Sequence, residues 1–286
     1  MDALLSSSDA ELLDLAQTIY DIPSLAAWRA AELKALRQCT FTAPVLEIGC
    51  GNGRFAALLL PREVGQASAC RVEWGIDLNP REIAKCAERN GLYGHLASMD
   101  ARALKFADGV FATVFANCVM EHIPDLDRVL AECRRVLRPG GALIATVPLI
   151  EMNRHLLLAS GWYTRLRAEQ LQHRNLLAAD AWVAALSKAG FTTIRTTPYL
   201  SARMCELWDR VDGPLCMGAG PLTLGRAYSF GLRLLPTAWR RKLNGQWQHY
   251  FIRALHLGEM ENLPGPEGCP PCAMLIQAGT PSLAGA

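Results

Sequence analysis

Residues 45–55, V-L-E-I-G-C-G-N-G-R-F, constrain this chain more than any other stretch. A short apolar run carrying one acid, Glu47, enters Gly49, Gly51 and Gly53, and a helical pattern begins at Arg54. Glycines at alternate positions let a strand turn tightly into a helix and leave bare backbone for a ligand to lie against. The spacing is GxGxG. A GxGxxG dinucleotide fingerprint needs its third glycine at position 54, where this chain has Arg54.

The rhythm that starts there continues. Apolar runs at 44–48, 72–77, 94–98, 110–118 and 142–147 read as strands, with helical patterns near 54–60, 80–90, 125–137 and 178–189. Strands alternating with helices imply right-handed βαβ units and an open, doubly wound, mostly parallel sheet. Residues 190–200 and 272–279 supply a sixth and a seventh strand. Ahead of the sheet, Asp9 to Tyr20 and a segment opened by Pro23 read as helices. The stretch 201–270 is too long for a structureless loop, and its many aromatics mark it, with 149–175, as a mostly helical cap. The expected organisation is an N-terminal helical extension over 1–40, a ligand-binding sheet domain over 41–200 and 271–281, and cap insertions at 149–175 and 201–270.

Composition removes several classes. Of 286 residues, 51% are hydrophobic and 20% charged, enough apolar mass for a core and incompatible with disorder. A net charge of +2 gives no dense basic stripe, so no nucleic-acid partner is expected. The first residues, M-D-A-L-L-S-S-S-D, carry acids and no Lys or Arg, unlike a secretory or transit peptide. No apolar stretch approaches the roughly 18 residues of a membrane span. The expectation is a soluble, cytoplasmic protein whose ten cysteines are reduced thiols.

Polar residues close each of the first four strands. Glu47 ends the first; Asp77, 24 residues after Gly53, ends the second; Asp100 ends the third; and Asn117 ends the fourth, ahead of Cys118-Val119-Met120-Glu121-His122. A carboxylate at Asp77 can accept from both hydroxyls of a ribose, and Asp100 is placed to accept from an adenine amino group. Any one of these is equally a turn or cap residue; the ordered set along one carboxyl edge points to a nucleotide-like ligand.

These motifs, EIGCGNG (47–53), GIDLNP (75–80), Met99-Asp100-Ala101, FADGVFATVFANCVMEHIPD (106–125) and RVLRPGGALIATVP (135–148), resemble the class I S-adenosylmethionine-dependent methyltransferases of the methyltransferase type 11 group. The resemblance covers about residues 44–200. It implies a Rossmann-like, seven-stranded sheet whose last strand is antiparallel, and S-adenosylmethionine as cofactor. It implies that Glu47 orients the glycine loop and the methionine end of the cofactor, that Asp77 holds the ribose, and that Asp100 with Ala101 reads adenine. Asn117 would lie beneath the cofactor near the methyl group, with Gly49, Cys50, Gly51, Gly53 and Leu78 as further cofactor contacts. Leu137 to Gly141 would be the family's turn before strand five. The reaction implied is in-line displacement at a sulfonium methyl, with the enlarged aromatic cap suiting a small, apolar or lipid-like acceptor.

Alignment and exclusion of water dominate such chemistry, and a base helps only a nucleophile that arrives protonated. His122, at the mouth of strand four, is the first candidate base, an imidazole having an ordinary pKa of about 6.5, and the adjacent Glu121 is a further catalytic candidate; a pocket-shaping role is the alternative. His173 is a second candidate, a surface or capping role the alternative. Tyr163, Tyr199 and Met204 suit either an apolar pocket or plain core, and Tyr20 a closing contact. Cys269-Pro-Pro-Cys272 lacks a regular second pair, so free thiols are expected and no metal. Residues 230–255 mix aromatics with Arg240, Arg241 and Lys242, which reads as a lid packed inward, with membrane contact the lesser alternative. A nicotinamide-dependent oxidoreductase, or a methyltransferase acting on a macromolecule, would share part of this pattern. The first lacks its glycine at 54 and the second an aromatic Asn-Pro-Pro-Tyr-like motif after strand four.

Overall fold

The computed structural model describes residues 9–60, 72–88, 91–158, 160–219, 222–255 and 270–282. In chain order the elements are α1 (Asp9–Gln17), α2 (Pro23–Leu36), β1 (Val45–Ile48), α3 (Arg54–Leu59), β2 (Val72–Asp77), α4 (Pro80–Ala87), β3 (Tyr93–Ser98), β4 (Phe111–Asn117), α5 (Leu126–Val136) and β5 (Leu137–Pro148). There follow α6 (Gly161–Leu171), α7 (Ala179–Lys188), β6 (Thr193–Leu200), α8 (Ala202–Leu215), a two-residue hairpin of β7 (Gly218–Ala219) and β8 (Leu222–Thr223), α9 (Leu224–Leu234), α10 (Thr237–Leu255) and β9 (Ala273–Gly279). Short 3-10 turns occupy Met120–His122 and Ile150–His155.

The main sheet has seven strands in the order β3-β2-β1-β4-β5-β9-β6. β1 pairs in parallel with both β2 and β4, through Leu46↔Trp74 and Leu46↔Val114, so the chain reverses its winding direction between β1 and β4. That reversal opens a crevice at the carboxyl ends of those two strands, where open α/β sheets take ligands. β9 is antiparallel to its neighbours. Gly140 N donates to Pro281 O while Thr280 N donates to Gly141 O, and Thr192 N to Gly279 O while Cys272 N donates to Leu200 O. All seven expected strands form, and so do the four expected helices among them.

Two boundaries differ. α1 stops at Gln17, and residues 18–20 close through turn bonds back to Leu15 and Ala16. β5 begins at Leu137, whereas the sequence placed a turn there. Phe111 pairs with Leu137 and Thr113 with Ala142, so the Arg138–Gly141 stretch bulges out of a strand that has already started. Gly140 takes the left-handed φ of 72° that the bulge needs.

The chain divides into two compact units. The sheet unit comprises 39–149, 173–197 and 274–286. Its core lies where the buried stripe of α5 (Leu126, Val129, Leu130, Cys133, Val136), spaced at three and four residues, meets β4 and β5. Each such side chain contributes about 1.5–3 kcal/mol on burial. The helical unit comprises 1–38, 150–172 and 198–273. Its centre is polar. Arg167 on α6 donates through Nε to Asp209 and through Nη2 to Asp212, at 2.7 and 2.6 Å, both acids on α8. Tyr163 and Ser24 also donate, to Asp209 at 2.9 Å and Asp212 at 2.8 Å. The Trp208 ring lies 5.1 Å from the guanidinium carbon. Tyr163, Tyr199 and Met204 are buried in this unit, which answers to the core reading of those residues. Residues 256–269, including Cys269, fall outside the described residues. Among the described residues no group of His, Cys, Asp and Glu is arranged to hold a metal ion, and no helix is long and apolar enough to cross a membrane.

Candidate functional site

The glycine loop is built from β1 outward. Gly49, Gly51 and Gly53 all take positive φ, at 70°, 52° and 72°, a conformation that costs other residues roughly 1–2 kcal/mol each. Gly49 N and Cys50 N both donate to Ile76 O, at 2.7 and 3.0 Å, which ties the loop to β2. A Cβ at Gly49 would lie 2.3 Å from a Val119 methyl, whereas one at Gly51 would meet nothing within 4 Å. Gly49 is therefore bare for packing and Gly51 faces open space.

Asp77 closes the loop from the neighbouring strand. Its Oδ2 accepts from Gly51 N at 3.0 Å and its Oδ1 from Asn79 N at 2.8 Å. A carboxylate oxygen has two acceptor positions, so each keeps one open beside the half-buried loop. Leu78, next in line, is exposed.

Glu47 is buried, and its neighbours were not legible in sequence. Tyr93, on β3, reaches across β2 and donates to Glu47 Oε2 at 2.6 Å. It passes over Gly75, the residue paired with Glu47, where a Cβ would sit 2.7 Å from the tyrosine ring. Burial pushes the Glu47 carboxyl up to about 7, with the Tyr93 hydrogen bond opposing and the Asp77 charge adding to the rise. Cys50 is buried beside it, its thiol pushed far up by hydrogen bonding to Cys86 and by burial. The signal that could have found Tyr93 is the glycine inside β2, since a strand glycine marks close approach by a neighbour.

Asp100 is held differently. Arg102 grips it through both guanidinium and backbone, with Nη2 2.7 Å from Oδ2 and its own N 2.9 Å from Oδ1. That pair holds the carboxyl below its ordinary range. Ala101 is buried behind it. Asn117 Oδ1 accepts from the Thr146 hydroxyl at 2.8 Å, and Cys118 N donates to both Thr146 O and Thr146 Oγ1. Cys118 has a φ of 47°, a strained backbone at the strand end.

The candidate bases come together. The rings of His122 and His173, 51 residues apart in sequence, stack with centroids 5.6 Å apart and planes at 29°. Glu121 Oε1 lies 3.7 Å from His122 Nε2. The turn carrying them is strapped by the residues after His173: Arg174 N and Asn175 N donate to Glu121 O at 2.6 and 2.9 Å, and the Asn175 amide donates to Met120 O and to Ile123 O. Asn175 was not among the sequence candidates; only the fold shows that it holds the strand-four turn.

A doubly wound sheet, a glycine loop at its switch point and acids ending β1, β2 and β3 define a class I, Rossmann-like methyltransferase. The model of the methyltransferase domain family matches residues 46–145. The methyltransferase GfsG of Streptomyces halstedii is 33% identical over 201 residues, spanning 68% of this chain and 67% of that protein. Phthiotriol/phenolphthiotriol dimycocerosates methyltransferase 1 of Mycobacterium ulcerans is 40% identical over 103 residues, 36% of each chain. Among solved structures, phosphoethanolamine N-methyltransferase 2 of Haemonchus contortus, determined with S-adenosyl-L-methionine, superposes with a TM-score of 0.57 at 19% identity, covering 96% of this chain and 58% of that one; it speaks for the fold. The chain belongs to the S-adenosylmethionine-dependent methyltransferases, and S-adenosylmethionine is its cofactor.

Proposed function

We propose that this chain methylates a small, apolar or lipid-like acceptor, with the cofactor seated on the glycine loop. The observation that carries the seat is Asp77: two acceptor positions left open beside Gly51, where an added Cβ would meet nothing within 4 Å. Bound S-adenosylmethionine supplies a sulfonium methyl as the electrophile.

The protein's own residues do the rest. Asp77 accepts from the two ribose hydroxyls. Glu47, oriented by Tyr93, faces the cationic methionine end, which favours its ionised form. Asp100 is already gripped by Arg102, so adenine shares that carboxylate with the guanidinium. Asn117, fixed by Thr146, lines the floor near the methyl group. His122, braced by Glu121 and the His173 ring, takes the proton of an acceptor that arrives protonated. The apolar acceptor class is supported by the dimycocerosate named for the Mycobacterium ulcerans relative.

Calorimetric titration with S-adenosylhomocysteine, with NADH in parallel, tests the seat. Micromolar binding of the first alone is expected. Asp77→Ala is expected to weaken it about 100-fold or more, from the loss of two charge-assisted hydrogen bonds. Unchanged affinity in that variant, or binding of NADH instead, overturns the assignment. Transfer of labelled methyl to prenyl and acyl acceptors, set against polar amines, tests the acceptor class.

A further inference from the structure

Helix α9 turns an apolar face to solvent. Gly225 and Leu232 are buried and Tyr228 is half-buried, which marks one side of the helix as inward. Leu224, Ala227, Phe230 and Leu234 recur at three, three and four residues on another side. That side is exposed: 56% for Leu224, 66% for Phe230 and 70% for Leu234. A groove of about 550 Å³ lined by Met217, Leu224, Ala227 and Phe230 opens along it. Trp239, in the first turn of α10, is 60% exposed, with Lys242 Nζ 5.7 Å from its ring centroid. The sequence alone favoured an inward-packed lid; the described side chains put these residues outward.

Charge says what covers them. Residues 213–258 contain no Asp or Glu, and carry Arg226, Arg233, Arg240, Arg241, Lys242 and Arg253. The whole chain is only +2, so the residues outside this stretch carry −4. Arg233 is met by Asp21 at 3.2 Å. A second copy docked face to face would set these cations against themselves. An anionic lipid surface answers both properties at once, since apolar and aromatic side chains enter the acyl boundary while Lys and Arg meet phosphates.

We propose that this face docks on an anionic bilayer, with Leu224, Phe230, Leu234 and Trp239 inserted and Arg226, Arg241 and Lys242 at the headgroups. The inference stands apart from the identity of the methyl acceptor.

The test is co-sedimentation of the full chain with vesicles of phosphatidylcholine alone and of phosphatidylcholine mixed with phosphatidylglycerol. Retention is expected on the mixed vesicles only, falling at least about tenfold as salt is raised. Phe230→Glu with Leu234→Glu is expected to abolish it, and Arg241→Gln with Lys242→Gln to weaken it about fivefold per charge. S-adenosylhomocysteine affinity, measured on each variant, confirms that the fold persists; should the glutamate pair lose it, the glutamine pair carries the test. No retention on mixed vesicles overturns the proposal. So does equal retention by every variant, or a wild-type dimer that Phe230→Glu converts to monomer in light scattering.

Discussion

Tyr93 donates to the buried Glu47 carboxylate at 2.6 Å, across a strand whose intervening residue is Gly75. The hydrogen bond and the burial pull that carboxyl in opposite directions, and burial wins, leaving it at about 7 against an ordinary 4.5.

A carboxyl raised on folding stabilises the fold while protonated and loses that contribution once the pH exceeds its folded value. The contribution is full below about 4.5 and gone above about 7. Its size is on the order of 3 kcal/mol. Thermal stability of the cofactor-free protein is expected to fall from about pH 5 to 7. Glu47→Gln should flatten that slope. Tyr93→Phe removes the one opposing bond, so it should move the slope to higher pH; an unmoved slope would detach Tyr93 from Glu47. In the proposed seat the cationic end of S-adenosylmethionine faces Glu47, so the cofactor should bind more tightly as pH rises through the same range.

The loop glycines separate packing from ligand approach. Gly49→Ala drives a Cβ into Val119 at 2.3 Å on top of its left-handed backbone, and a loss of about 3 kcal/mol or more is expected. Gly51→Ala meets no neighbour and should lose only about 1–2 kcal/mol, from φ alone. Cofactor affinity should nevertheless collapse in Gly51→Ala. Equal unfolding midpoints for the two variants would contradict the difference in their surroundings.

His122→Ala is expected to lower kcat by about 10²-fold or more while S-adenosylhomocysteine affinity holds, the pattern of a lost proton acceptor. Asn175→Ala loosens the turn that carries His122 and should lower kcat by about tenfold with the pH profile retained. A His122→Ala enzyme as active as wild type at every pH would reduce the His122–His173 stack to a wall of the site.

Arg167 is the stability test of the helical unit. Removing one partner of a buried pair strands the other charge, so Arg167→Met should cost about 3–5 kcal/mol with Asp209 and Asp212 left behind. Arg167→Met with Asp209→Asn and Asp212→Asn should recover much of it. No recovery in the triple variant would mean that packing around Trp208, rather than charge, holds α6 to α8.

Strand-end chemistry was legible because it is local. The glycine run of 49–53, the acids Glu47, Asp77 and Asp100, and the alternation of apolar runs follow from backbone conformation and side-chain period, which neighbours in sequence set. Seven strands and their order of appearance could be read that way. The bulge of residues 138–141 could not, because it is a mismatch of register between two strands rather than a property of either.

The rest depended on distance in space. Tyr93 reaches Glu47 because Gly75 happens to lie between them in the sheet; Asn175 clamps the turn of Met120–His122 because the chain returns there after α6; and His173 meets His122 by the same return. Arg167, Asp209 and Asp212 carry no signal in the sequence that singles them out, and packing buries them against each other. Phe230 and Leu234 looked like lid core until α9 was seen to bury Gly225 and Leu232 instead. Sequence by itself determined which backbone shapes each segment can adopt, since those depend on the residue and its immediate neighbours. Which side chains meet, and which apolar faces go without a partner, was decided only by tertiary structure, because burial belongs to the assembled surfaces and to no residue alone.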